Sequence, residues 1–297
     1  DVIISHGFFS SRLCYKLKKL YGQRYYIFVH HPPNFLYGES KEQKREFADS
    51  LKRKIAIFLG GLFGSLLRSL DKLTVKNADK IFVNSNYTKE RVLLIYGREP
   101  IICYPSYSAN FKIIDKKNTS YIFEKFHIPG GFIFTHGRII PDKRVDLILG
   151  AMIYLDEYLI ISGWMSNDVK ANLELLMKGL KIKNKVSILG NVIEKDLISL
   201  YNEAEVFVLT APKEDFGIVP IEAMACGTPC VAWADNAGPS ETIIPGENGL
   251  LAKPYDIKDL ADTVLKAKVL KKRRRAISNS MVKFSESMAR DLFLKSI

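Results

Sequence analysis

Glu214 and Glu222 have seven residues between them and sit on either side of a predicted helix start. The run Glu205–Leu209 before them is apolar and β-branched, which predicts a buried parallel strand. Helical spacing of Ile218, Ile221 and Ala225 follows, and Gly227 ends it. A strand, a loop and a helix start make the place where an open α/β sheet binds ligands. The free N–H groups from Phe216 to Val219 would face an anion there. A carboxylate can accept hydrogen bonds from both hydroxyls of a vicinal diol. A nucleotide sugar supplies both groups, a diphosphate for the N–H donors and diols for the carboxylates. About 70 residues upstream, Phe132–Lys143 predicts a second strand, turn and helix start, in which four residues separate Arg138 from Lys143. Fixed cations at that turn would stabilise a departing diphosphate and do the work of a metal.

The E-x7-E spacing and the surrounding segment FGIVPIEAMACGTP resemble the family 4 glycosyltransferases, which have the GT-B fold. The resemblance implies that Glu222 holds the donor ribose. It implies that Glu214 positions the donor sugar, together with Asp215, Phe216, Gly217 and Ile218. It places Arg138 and Lys143 on the pyrophosphate. The turns at Gly137, Gly163 and Asn191-Val192 resemble those that line the nucleotide. On the acceptor side, Phe28-Val29-His30-His31-Pro32-Pro33 resembles the H-x-P-P form of some mannosyltransferases. His30 is the first choice for a contact near the reacting carbon, His31 is its neighbour, and His6 lies on the adjacent strand end. The activity so implied is that of a retaining, metal-independent hexosyltransferase with no cofactor beyond its donor. GDP-mannose leads as donor and UDP-linked sugars stay open. Two alternatives stay open as well: a GT-B-fold sugar-nucleotide epimerase, and a non-catalytic or truncated nucleotide-sugar-binding protein.

The elements that must carry these residues follow from hydrophobic periodicity. Strands are predicted at Val2–Ser5, Tyr25–Val29, Lys80–Asn84 and Pro100–Tyr104, with helices between them. The helical stretch from Lys41 to about Asn77 is expected to break or kink at Gly60-Gly61. Ser85 or Asn86 caps the helix after the third strand. The polar, lysine-rich stretch Phe111–Thr119 reads as a linker. Alternation then restarts, with strands at Gly131–Thr135, Tyr158–Ser162, Lys185–Leu189, Glu205–Leu209 and Pro229–Trp233, and another near Gly249–Leu251. Strands alternating with helices imply parallel sheets and right-handed crossovers. The expected fold is α/β: two Rossmann-like domains facing across a cleft, an acceptor-side domain over 1–115 and a donor domain over 120–297. The first domain shows about four strands and no glycine-rich loop, which reads as truncation at its start.

Composition narrows the partners. The 297 residues carry a net charge of +12 and 47% hydrophobic content, enough for two cores. Residues 1–120 hold 21 Lys and Arg against 10 Asp and Glu, and the remaining residues hold 23 against 22. The basic excess of the first part suits anionic lipid or a phosphate-bearing acceptor, such as a polyprenyl-linked glycan at the cytoplasmic face of a membrane. It also suits nucleic acid, but no zinc-finger spacing or basic–aromatic platform accompanies it. No run of about 18 apolar residues exists. The longest uncharged stretch, Ile55–Leu67, has basic flanks and fits a membrane interface or a buried helix. Lys271-Lys272-Arg273-Arg274-Arg275 reads as a solvated helix face or a lipid or partner contact. Cys14, Cys103, Cys226 and Cys230 form no C-x-x-C pair and read as reduced, buried thiols of a cytosolic protein.

Overall fold

The structure is a computed structural model that describes residues 2–37 and 51–297, with the backbone alone for residues 8, 34, 35 and 51–62. The chain divides into two compact units, residues 1–104 with 292–297, and residues 105–291.

The first unit is built on a four-stranded parallel sheet in the order β1-β2-β3-β4. Its strands are β1 (Ile3–His6), β2 (Tyr25–Val29), β3 (Lys80–Val83) and β4 (Ile101–Ile102). Alternate residues of a strand point to opposite faces. Tyr25, Ile27 and Val29 therefore meet Cys14, Val75, Val92 and Tyr96 from three helices on one face. Tyr26 and Phe82 meet Phe293 on the other. That contact draws the chain's last residues to this unit: the Phe82 and Phe293 rings lie 5.2 Å apart, and Lys80 Nζ donates to Ser296 O at 2.6 Å. A reading by periodicity assigns these residues to the second domain, since a lone Phe carries no address. The helix Leu51–Lys76 runs through Gly60-Gly61 without interruption, so the helix does not break there; residues 41–50 lie outside the described part. Its one carboxylate, Asp71, is buried and accepts from Tyr96 Oη at 2.7 Å. Ser85 caps the helix Asn86–Tyr96 by accepting from Thr88 N at 3.0 Å.

The second unit holds a six-stranded, fully parallel sheet in the order β10-β9-β8-β5-β6-β7. The strands are β5 (Phe132–His136), β6 (Tyr158–Ser162), β7 (Val186–Gly190), β8 (Val206–Val208), β9 (Cys230–Trp233) and β10 (Gly249–Ala252). They bury Ile133, Leu159, Ile161, Val206, Val208 and Val231 against helices on one face. The stretch read as a linker packs on this unit instead. Asn202 in the helix Glu194–Glu203 satisfies its backbone, accepting from Ile114 N at 2.9 Å and donating to Lys112 O at 3.0 Å. The lysines at 112, 116 and 117 hid this contact, because backbone atoms of Lys112 and Ile114, not lysine side chains, make it. All four cysteines are buried and free.

The basic run 271–275 is only partly a solvated face. Lys271 Nζ donates to Asn202 O at 3.0 Å and to Thr228 Oγ1 at 2.7 Å. Arg274 Nη2 donates to Asn202 Oδ1 at 2.6 Å and to Cys226 O at 3.3 Å. Two cations thus sit where the helices Glu194–Glu203 and Ile218–Ala225 end, the favourable end of each dipole for positive charge. Burial, with Arg274 alongside, pushes the Lys271 pKa down to about 7.

Candidate functional site

In the second unit β5 lies at the middle of the sheet, with β6 and β7 to one side and β8, β9 and β10 to the other. The connections leaving β5 and β8 therefore diverge, and the crevice at their carboxyl ends is the topological switch point. Both sequence motifs fall on those two loops. Lys143 ends a short 3-10 turn, Pro141–Lys143, and the helix Val145–Ala151 begins only after Arg144, at φ +49°. Glu214 lies in the loop after β8. The two loops are tied twice: Thr210 Oγ1 donates to Lys143 O at 3.0 Å, and Lys143 Nζ is ion-paired with Glu214 Oε2. Both side chains of that pair are largely buried, at 29% and 20% exposure. Arg138 lies two residues past the end of β5 and is exposed.

The backbone around the pair is held by glycines. Gly163, at φ +118°, follows β6 and lies against the backbone of Gly137; a Cβ on it would stand 1.9 Å from Gly137 O. Gly137 N donates to Ser162 O at 3.2 Å, Ile139 N to Trp164 O at 2.8 Å, and Gly163 N to Gly190 O at 2.7 Å. The ends of β5, β6 and β7 thus form one shelf of bare backbone. Across the crevice, Gly238 N donates to Glu214 O at 2.9 Å. A Cβ on Gly238 would stand 2.3 Å from Phe216 Cα. Lys213, at φ +48°, donates from its N–H to Asp235 Oδ2 at 2.8 Å. Gly217, at φ +83°, opens the helix Ile218–Ala225, whose N-terminus has no side-chain cap.

Within this unit, Asp215, Gly217 and Ile218 flank that helix start, and Asn191 and Val192 follow β7. Phe216 departs from a simple contact role. Its ring is turned into the core against Phe284, with centroids 5.7 Å apart, so only its backbone is available. Glu222 sits one turn into the helix and accepts from Tyr201 Oη at 3.1 Å. Burial raises its pKa, and the Tyr201 hydrogen bond pulls the other way. His136, at the end of β5, is hydrogen-bonded through Nδ1 to Ser162 Oγ at 2.7 Å. Burial pushes its pKa down to about 4, so the ring is neutral at pH 7. Tyr201, Asp235 and Thr210 are the neighbours that motif reading missed. Among the described residues no cluster of three or more His, Cys, Asp or Glu is arranged to hold a metal ion.

His30 belongs to the first unit, at the carboxyl end of β2. Its Nε2 lies 3.1 Å from His6 Nδ1, and its ring stacks on Phe28 with centroids 4.6 Å apart. Burial and the neighbouring His6 lower its pKa.

Residues 122–283, more than half of the chain, match the Glycosyl transferases group 1 family, and the chain belongs to that family. Mannosylfructose-phosphate synthase of Agrobacterium fabrum is 30% identical over 174 residues, 54% of this chain and 38% of the relative. The alpha-1,3/1,6-mannosyltransferase ALG2 of Candida albicans is 21% identical over 288 residues, 81% of this chain and 65% of the relative. The chain thus spans less than two thirds of these curated relatives. Among solved structures, sucrose-phosphate synthase of Thermosynechococcus elongatus has a TM-score of 0.78 at 22% identity, covering 99% of this chain and 72% of its own. Anabaena HepE, solved in complex with UDP-glucose, has a TM-score of 0.77 at 19% identity, covering 100% and 79%. At these identities the likeness is one of fold, the GT-B glycosyltransferase fold.

Proposed function

We propose that this chain carries the core of a retaining glycosyltransferase that moves a hexose from a nucleotide diphosphate sugar to an acceptor hydroxyl. The observation that carries the proposal is the Lys143–Glu214 ion pair bridging two loops at the switch point of the second unit. In this reading the second unit, residues 105–291, supplies the donor domain, and the first, residues 1–104 with 292–297, the acceptor side. Glu222 takes the ribose diol. The uncapped N-terminus at Gly217 and the cations Arg138 and Lys143 take the diphosphate. Donor entry redirects Lys143 to phosphate and Glu214 to a sugar hydroxyl, with the amides of residues 215–218 beside it. Gly137, Gly163, Asn191 and Val192 line the nucleotide. The C1–O bond to diphosphate breaks and the C1–O bond to the acceptor forms on the same face of the sugar. The acceptor proton passes to the departing phosphate oxygen, so no metal and no protein nucleophile is required. His30 contacts the donor sugar or the attacking hydroxyl. Mannose is the leading sugar, supported by the mannose-named relatives; UDP donors are supported by the neighbour solved with UDP-glucose.

The acceptor side is read from charge. The helix Phe8–Tyr21 has no acidic residue, carries Arg12, Lys16, Lys18 and Lys19, and exposes Phe9 and Leu20 by 77% and 71%. That pattern supports a lipid-linked glycan at the anionic, cytoplasmic face of a membrane. Among the described residues no helix is long and apolar enough to cross one. The test is nucleotide release from GDP-mannose and UDP-sugars in EDTA, with a polyprenyl-linked acceptor in anionic vesicles or a soluble acceptor analogue. Acceptor-dependent release, favoured by vesicles and unaffected by EDTA, is expected. Donor consumption without acceptor would point to an epimerase, and equal rates with the soluble acceptor would remove the membrane from the account.

A further inference from the structure

Tyr201 is a polar side chain against the site that no motif assigns. It lies on the helix Glu194–Glu203, and its ring is fully buried. Phe134, Phe207, Phe111 and His136 wall it in, with ring centroids 5.4, 5.6, 5.9 and 6.1 Å away. Its backbone carbonyl accepts from Thr228 Oγ1. The ring has no room to turn aside, so its hydroxyl is a fixed donor, and that donor reaches Glu222 Oε2 at 3.1 Å. The terminal torsion of a glutamate is broad and sets no orientation by itself. A carboxylate held at one oxygen by a rigid donor has a defined plane. It then offers Oε1, and the remaining lone pair of Oε2, in fixed directions.

We propose that Tyr201 is a positioning residue that aligns the Glu222 carboxylate for a vicinal diol and so makes the donor site selective for ribose over deoxyribose. The proposal rests on the reading that Glu222 takes the ribose. A diol donates two hydrogen bonds to a carboxylate in one plane; a 2′-deoxyribose donates one. Hydrogen bonds to a charged group separate the two ligands by about tenfold or more. With Phe at position 201 the carboxylate is free to rotate and water replaces the lost donor. The second diol contact then weakens while the first survives.

The experiment is calorimetric titration of the whole chain with UDP, 2′-deoxy-UDP, GDP and 2′-deoxy-GDP. Wild type, Tyr201→Phe and Glu222→Gln are compared. Wild type is expected to prefer the ribonucleotide about tenfold or more, Tyr201→Phe to compress that preference to about threefold or less with deoxynucleotide affinity unchanged, and Glu222→Gln to abolish it. A full preference in Tyr201→Phe with loss in Glu222→Gln overturns the role of Tyr201 and leaves the ribose reading standing. A full preference in Glu222→Gln overturns that reading, and the proposal with it. A second measurement reads the same contact through pH. Glu222 faces Tyr201 and Glu194 from one helix and Cys226 from its own. The Tyr201 hydrogen bond favours the ionised carboxylate, so in Tyr201→Phe the loss of nucleotide affinity on acidification is expected to begin at higher pH. An unmoved acid limb would contradict the alignment.

Discussion

Lys143→Ala is expected to lower kcat by about two to three orders of magnitude while free nucleoside diphosphate binds within about tenfold of wild type. The asymmetry follows from when the charge is needed. A bound diphosphate shares its charge among several oxygens and the helix N-terminus at Gly217. The departing diphosphate gains charge as the glycosidic bond breaks, and a fixed cation lowers that barrier by about 3–4 kcal/mol. Lys143 is fixed: its carbonyl is held by Thr210, and its ammonium is largely buried beside Glu214. Lys143→Arg keeps the charge but not the compact ammonium, and it should recover part of the rate. The check is single-turnover kinetics beside equilibrium binding. A variant that binds nucleotide far more weakly yet turns over normally when saturated would show that Lys143 only holds the ground state.

Gly163→Ala is expected to destabilise the second unit by at least ~3 kcal/mol, whereas Gly137→Ala, at the end of the adjacent strand in the same shelf, should cost about 1–2 kcal/mol. The contrast is steric. A Cβ at Gly163 meets the Gly137 carbonyl at 1.9 Å, which is backbone and has nowhere to go, and its φ of +118° disfavours any side chain. A Cβ at Gly137, at φ +143°, meets nothing within 4 Å, so only the backbone penalty remains. For a unit of this size the larger figure corresponds to a fall in Tm of roughly 10 °C. Thermal unfolding of both variants, followed by circular dichroism, measures it. Equal shifts would mean that the β5 and β6 turns do not approach as described.

The two variants mark how far the sequence could be read. The alternation that placed β5 to β10, and the loops that hold Lys143 and Glu214, came from local pattern, and parallel strands buried on both faces write that pattern plainly. Roles set by long-range contact left no local trace. Tyr201 reads as one apolar position in an amphipathic helix; only its approach to Glu222, 21 residues on, gives its hydroxyl a purpose. Phe216 sits inside the motif, yet its ring serves the core. Lys271 and Arg274 look like solvent-facing charge until two helix ends converge on them. Gly60-Gly61 looks like a hinge, but a helix interior tolerates glycine at roughly 1 kcal/mol each. Phe293 carries nothing in its neighbours to say that it belongs to the first unit, against Phe82.

The central claim is that the crevice between the β5 and β8 loops binds a nucleotide sugar through Glu222 and Lys143. Thermal unfolding of the second unit against GDP-mannose, UDP-glucose, UDP-N-acetylglucosamine, GDP and UDP, in wild type and Glu222→Ala, tests it most directly. Binding to the folded state alone raises the unfolding temperature, by about 2.7 kcal/mol of stabilisation at a hundredfold excess over Kd. The account predicts a rise with one nucleotide-sugar class and its free nucleotide that is lost in Glu222→Ala. A rise that persists unchanged in Glu222→Ala, or no rise with any of the five, would contradict it.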